Sequence, residues 1–141
     1  MNKEEIGNFL LRAILGVTFF MHGLSKFKGG LSNLAGWFES LGLPGFMAYA
    51  VGTIELIGGI ALVLGLGTRI FSVLFILIMA GAIIFVKFGA GFLGNGEMAG
   101  FELDLVLLVI ALHLLINGSR FFSLDSMLPT AKKKLNMEII Q

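Results

Sequence analysis

Between Ile70 and Val86 the chain carries no charged residue, and between Met47 and Gly67 it carries one, Glu55. An α-helix crosses the hydrocarbon core of a bilayer with roughly 20 predominantly apolar residues, and each stretch is about that long. Two further stretches have the same character. The expected spans are Ile6–Leu24, Met47–Leu66, Ile70–Phe88 and Phe101–Gly118. Of the 141 residues, 57% are hydrophobic and 13% are charged, which excludes a water-soluble globule of this size. Four spans leave only short connections and no room for a separate soluble domain. The first span shows no small-residue cleavage pattern after it and reads as a retained helix rather than a signal peptide.

Only Gly67-Thr68-Arg69 separates the second and third spans, so they form an antiparallel hairpin. The expected fold is all-α, a four-helix transmembrane bundle with up-down-up-down order. Lys3, Arg69, Arg120 and Lys132 to Lys134 fall on the side of both termini, against Lys26, Lys28 and Lys87 on the other. An excess of basic residues marks the cytoplasmic side, which predicts a multi-pass plasma-membrane protein with both termini in the cytoplasm. The expected division is a membrane domain over residues 1–125 and a cytoplasmic basic tail over 126–141.

Two connections have character of their own. Leu31, Leu34, Phe38 and Leu41 follow helical spacing, which suggests either an amphipathic helix at the outer interface or a segment packed over the bundle mouth. The segment from Gly89 to Gly100 holds five glycines and is expected to be a flexible outer loop.

The net charge of +1 gives no footing for nucleic acid. The absence of cysteine removes thiolate iron–sulfur ligation, dithiol exchange and cysteine-bound zinc. Any redox chemistry must therefore draw on a borrowed cofactor or a partner. Metal binding is not expected, since His22 with Glu55 or Glu102 is a thin ligand set.

Ionisable residues inside a span cost about 2.5–3.5 kcal/mol on insertion scales and call for a partner or a wet cavity. Arg12, Gly16, Phe19, His22, Gly23 and Lys26 fall within an arc of about 120° on the first helix at roughly 100° per residue. Ala48, Gly52, Glu55 and Gly59 form a stripe of small residues interrupted by a carboxylate, and small residues admit close helix approach. Glu55 is thus expected in the bundle interior. Arg12 either pairs inside the bundle or snorkels to the headgroups. Glu102 and Asp104 lie about 160° apart on the fourth helix, so only one of them can face a given neighbour, and either face is open. Lys87 and Arg69 sit at helix ends. His22 either binds or makes a structural hydrogen bond, and His113 is expected to pack within the bundle or at a subunit contact. The simplest pairing is an outward-opening polar cavity with Glu55 at its floor.

The order of Arg12, Gly16, Phe19, Phe20, His22, Gly23 and Lys26, then Gly52, Glu55, Gly58, Gly59, Gly65, Thr68 and Arg69, resembles the DoxX family. The likeness continues through Met79-Ala80, Gly91-Phe92, Glu102 and Ser123-Leu124-Asp125, covering residues 6–125, and is nearest to the bacterial catechol- and quinone-stress branch. Two positions depart from the family pattern. Lys87 stands where the family often has a histidine, which deprives His22 of a histidine companion, and the family's Gly-Pro-Gly-Arg turn is Gly118-Ser119-Arg120-Phe121 here. Arg120 remains available as a cytoplasmic headgroup anchor.

The resemblance implies an oxidoreductase subunit tied to oxidative stress, acting on or with quinones or catechols alongside a soluble redox enzyme. On this reading a quinone is the cofactor or substrate to expect. Glu55 and His22 are the candidate catalytic groups, and Arg12, Lys26, Arg69, Glu102, Asp104 and Lys87 the candidate substrate-binding groups. Two other readings are a small-molecule transporter or permeability factor, and a membrane scaffold recruiting a stress-response enzyme through its basic tail. Small-residue faces on two spans also allow a homo-oligomer in the bilayer.

Overall fold

The computed structural model describes residues 2–128 and 136–140. It is helical between its turns, with no strand among the described residues. The helices are α1 (Lys3–Gly29), α2 (Leu31–Ser40), α3 (Phe46–Leu64), α4 (Thr68–Gly81) and α5 (Glu102–Asn117). The α4 helix runs on through a π-helical segment, Ala82–Lys87, and a 3₁₀ turn, Phe88–Ala90. The basic run Lys132–Lys134, expected in the tail, lies outside the described residues.

Local chemistry sets the helix ends. The Asn2 side chain accepts from the Glu5 N–H at 2.9 Å while Glu5 accepts from the Asn2 N–H, a reciprocal cap that satisfies two orphan donors. This starts α1 before the first apolar residue, and the helix also runs past the expected Leu24 to Gly29. At 27 residues it is about 40 Å long. The α3 helix stops at Gly65, whose φ of 73° is left-handed. Leu66 N–H then donates to Ala61 O at 2.7 Å and Gly65 N–H to Leu62 O at 3.1 Å, the paired bonds of a Schellman ending. Gly67, also left-handed, turns the chain directly into α4.

Three helical stretches are long and apolar enough to cross a membrane: Lys3–Gly29, Phe46–Leu64 and Thr68–Ala90. The fourth expected span is α5, which at 16 residues covers about 24 Å against a hydrocarbon core of about 30 Å. Burial is inverted relative to a soluble protein. Arg12, Glu55, Asp104, Thr68 and Ser72 are buried, whereas Leu10, Ile14, Ile57, Ile70, Leu77 and Ile116 are exposed. Charges inside and branched apolar side chains outside are what a lipid solvent demands.

The closest packing is between α1 and α3, which run antiparallel. A Cβ on Gly23 would lie 2.5 Å from the Leu56 nitrogen, and one on Gly16 2.9 Å from the Gly59 carbonyl oxygen. The small-residue stripes seen in the sequence are therefore the surfaces on which these two backbones meet. The α5 helix packs on α4 and α1, and α4 touches α3. A core of Leu15, Phe19, Leu62, Phe75, Met79, Leu107, Ala111 and Leu114 fills the centre, with Phe19 and Phe75 stacked at 3.7 Å between ring centroids.

Two expectations about loops change. The Leu31–Leu41 segment forms α2, but it packs on α3 and α1, with a Leu31 methyl meeting α3 at Gly52. Of its apolar stripe only Phe38 is buried, and Leu41 sits past the helix end. The glycine-rich segment is a hydrogen-bonded turn rather than an unstructured loop. Phe101 N–H donates to Gly91 O, Glu102 N–H to Phe92 O and Asn95 N–H to Met98 O, and the Asn95 side chain accepts from the Glu97 and Met98 N–H groups.

Candidate functional site

The apolar core divides the polar side chains into two groups, one at each end of the helices. At the end where α1 finishes and α5 begins, Lys26 Nζ lies 2.7 Å from Glu55 Oε2, and Lys87 Nζ lies 2.7 Å from Asp104 Oδ2. Both carboxylates are almost fully buried, and both lysines keep about a quarter of their side-chain surface exposed. His22 stands one turn before Lys26 on α1, where it is exposed and makes no side-chain hydrogen bond among the described residues. The two ion pairs lie at the same end of the helices and, with the imidazole beside Lys26 on α1, make up the polar cluster there.

Each member is placed by a local cause. Glu55 interrupts the small-residue stripe of α3, and Gly23 lets the α1 backbone come against the Glu55–Leu56 peptide. That close approach brings Lys26, three residues on, down onto the carboxylate. Lys87 closes the π-helical segment; the wider winding changes the angle at which the following side chains leave the axis and presents Lys87 to the first turn of α5. Asp104 is buried and Glu102 is exposed, which settles the question the sequence left open between their two faces. Glu102, whose N–H donates to Phe92 O at 3.1 Å, makes no ion pair among the described residues.

The cluster has useful chemistry. An ammonium carries three donors and a carboxylate about four acceptor sites, and each is used here once by its partner. Two cations and two anions make the cluster electroneutral apart from His22. It can therefore offer donors and acceptors to a neutral ligand without a net charge to be compensated in lipid.

Arg12 and Arg69 belong to the opposite end. From Lys26 to Arg12 is 14 residues, about 21 Å along α1. Arg12 is 0% exposed. It neither reaches the headgroups nor pairs with a carboxylate, since no such ion pair is found among the described residues. Its Nη1 donates to Ser119 O and Ser119 Oγ, both at 3.1 Å, and its Nη2 to Phe122 O at 2.7 Å. Phe122 is a non-glycine residue with φ of 45°, a strained conformation that supplies this carbonyl. Arg12 thus ties the segment after α5 back under the helices. Arg69 is exposed, and its Nη2 lies 3.4 Å from Ile116 O.

Sequence reasoning missed how that segment is used. Ser123 Oγ donates to Gly65 O at 2.8 Å, Leu124 N–H to Leu64 O at 3.1 Å, and Gly67 N–H to Asp125 Oδ2 at 2.6 Å. Ser123-Leu124-Asp125 is thus a clip on the α3–α4 turn. The signal was present as three residues following the last span, but nothing local says what they hold. His113 bonds Asn8 at 2.6 Å, consistent with packing against a neighbouring helix. A concavity of about 700 Å³ opens at this end, lined by Thr68, Arg69, Asn117, Arg120 and Ser126 among others. The expected outward cavity with Glu55 at its floor takes the form of the two-pair cluster instead.

A family model described as DoxX matches residues 7–88. The chain is 50% identical over 138 residues to a Bacillus subtilis (strain 168) protein named "Putative oxidoreductase CatD", covering 97% of this chain and 98% of that one. It is 34% identical over 125 residues to "Uncharacterized membrane protein Rv3486" of Mycobacterium tuberculosis, covering 82% and 77% of the two chains. A Haemophilus influenzae protein described only as uncharacterized is 32% identical over 117 residues, covering 82% and 86%. No solved structure matches.

Proposed function

Because the chain belongs to the DoxX family, we propose that it is a multi-pass plasma-membrane oxidoreductase subunit that binds quinones or catechols and works with a soluble redox partner. On this reading α1, α3, α4 with its extension, and α5 all span, and both termini face the cytoplasm. The observation that carries the proposal is the electroneutral cluster of Lys26–Glu55, Lys87–Asp104 and His22 above an apolar core. The name of the Bacillus subtilis relative supports the reaction class.

A quinone is neutral, flat and apolar apart from two oxygens. Its carbonyls accept from Lys26 and Lys87, and the hydroxyls of its reduced form donate to the carboxylate oxygens those lysines leave free. Oxidation of a quinol or catechol releases two protons and two electrons. Glu55 and His22 are the groups placed to take protons, and the electrons pass to the redox group of the partner. The reverse reaction draws the same protons and electrons back.

Binding of a short-chain quinone and its quinol to the purified chain in nanodiscs, followed by Trp37 fluorescence or calorimetry, tests the reading. Binding is expected, with Glu55→Gln weakening it about tenfold, the cost of one hydrogen bond to a charged group. No binding of either redox form, together with no effect on quinone reduction when the partner is supplied, overturns it. The stacked Phe19–Phe75 pair closes the helix axis below the cluster, which argues against a continuous transport path through one chain.

A further inference from the structure

The end remote from the ion pairs carries a second set of polar groups that the proposed function does not use. The concavity of about 700 Å³ there is lined by the whole first turn of α4, Gly67 to Ile70, and by Arg120 from the segment after α5. The N-cap residue of α4 is Gly67, which has no side chain of its own to cap the helix. The Asp125 carboxylate accepts from the Gly67 N–H, and the following N–H groups have no intrahelical acceptor by the geometry of a helix start. They add the positive end of the α4 dipole to the charges of Arg69 and Arg120.

Three further observations bear on what these groups are for. Thr68 lines the concavity and is 95% buried, its exposure being 5%, yet its Oγ1 has no hydrogen-bond partner among the described residues. A buried hydroxyl without a protein partner costs free energy unless a water or a ligand atom meets it. Arg69 and Arg120 form no ion pair among the described residues. Three carboxylates also line the concavity: Asp125, which accepts from the Gly67 N–H, Glu5, which caps α1, and Glu138.

We propose that this concavity binds a phosphate group, with Arg69 and Arg120 as its cationic clamp and Thr68 and the first-turn N–H groups of α4 as its donors. Backbone donors at a helix start combined with arginine are the arrangement phosphate recognition uses. The same chemistry serves the headgroup of an anionic phospholipid and a soluble phosphate compound, and the site lies where α4 enters the apolar region. It stands apart from the quinone cluster and does not depend on it.

The full chain, purified in detergent, is tested with inorganic phosphate by ³¹P nuclear magnetic resonance or calorimetry. In parallel, it is tested with phosphatidic acid and phosphatidylcholine by native mass spectrometry. Retention of phosphatidic acid that excess phosphate does not displace assigns a lipid headgroup, and binding of free phosphate that displaces it assigns a soluble ligand. Arg69→Gln with Arg120→Gln is expected to weaken either probe at least tenfold. Thr68→Val is expected to weaken it about threefold, Thr68→Ser should retain it, and Lys28→Gln at the far end should leave it unchanged. Wild-type protein that holds neither probe overturns the proposal without reference to any variant, as does undiminished binding in the double arginine variant.

Discussion

Removing the Arg12 guanidinium leaves two backbone carbonyls and one hydroxyl without their donors in a buried place. Arg12→Met is expected to destabilise the protein by about 2–4 kcal/mol, since several bonds to a charged donor are lost together. Arg12→Lys should recover only part of that, because an ammonium lacks the planar fork that reaches Ser119 and Phe122 at once. Unfolding of the protein in mixed micelles by denaturing detergent measures both, and wild-type stability in either variant counts against the role. Lys26 and Glu55 make a different case, in which structure and function can be separated. Glu55→Ala strands an ammonium and should cost about 3–5 kcal/mol, whereas Lys26→Met with Glu55→Leu removes both charges and should recover most of it. Under the proposed function the double variant is stable but no longer binds quinone. Recovery of binding along with stability would show the pair to be structural alone.

Helix packing at the element scale depends on glycines that differ sharply in what surrounds them. A Cβ on Gly23 meets the α3 backbone at 2.5 Å, while one on Gly7 meets nothing within 4 Å among the described residues. Gly23→Ala is therefore expected to cost about 1–3 kcal/mol by forcing α1 and α3 apart, and Gly7→Ala to be neutral or up to about 1 kcal/mol stabilising through helix propensity. The same unfolding titration applied to the pair reads this difference, and equal effects would refute the close-approach account. The small-residue stripes were legible in the sequence because their spacing is that of a helix face. The π-helical stretch before Lys87 was not, since Ala82 to Val86 reads like any other apolar helix and only the fit against α5 distinguishes its winding.

For the whole molecule, the question that experiment settles most directly is orientation in the membrane. The chain has no cysteine, so single substitutions can be labelled without background. Asn95→Cys lies in the glycine-rich turn and Ser126→Cys beyond the clip, at opposite ends of the helices, and both positions are exposed. With both termini cytoplasmic, an impermeant maleimide added to intact cells labels Asn95→Cys and reaches Ser126→Cys only after permeabilisation. The opposite pattern reverses the orientation and places the Lys26–Glu55 and Lys87–Asp104 pairs at the inner face.

The sequence by itself determined that this chain belongs in lipid, where the long helices lie and which residues share their faces. Those properties follow from hydropathy and from a fixed rotation per residue, both of which are local. It also singled out Glu55, His22 and Lys26, because charge in an apolar run is costly wherever the run is placed. The partners were decided by tertiary structure. Lys26 meets Glu55 across a glycine contact, Lys87 meets Asp104 rather than Glu102, and Arg12 meets carbonyls more than a hundred residues away. Such pairings depend on how far one backbone can approach another and on how a turn is clipped, and neither quantity is written in the period of a single helix.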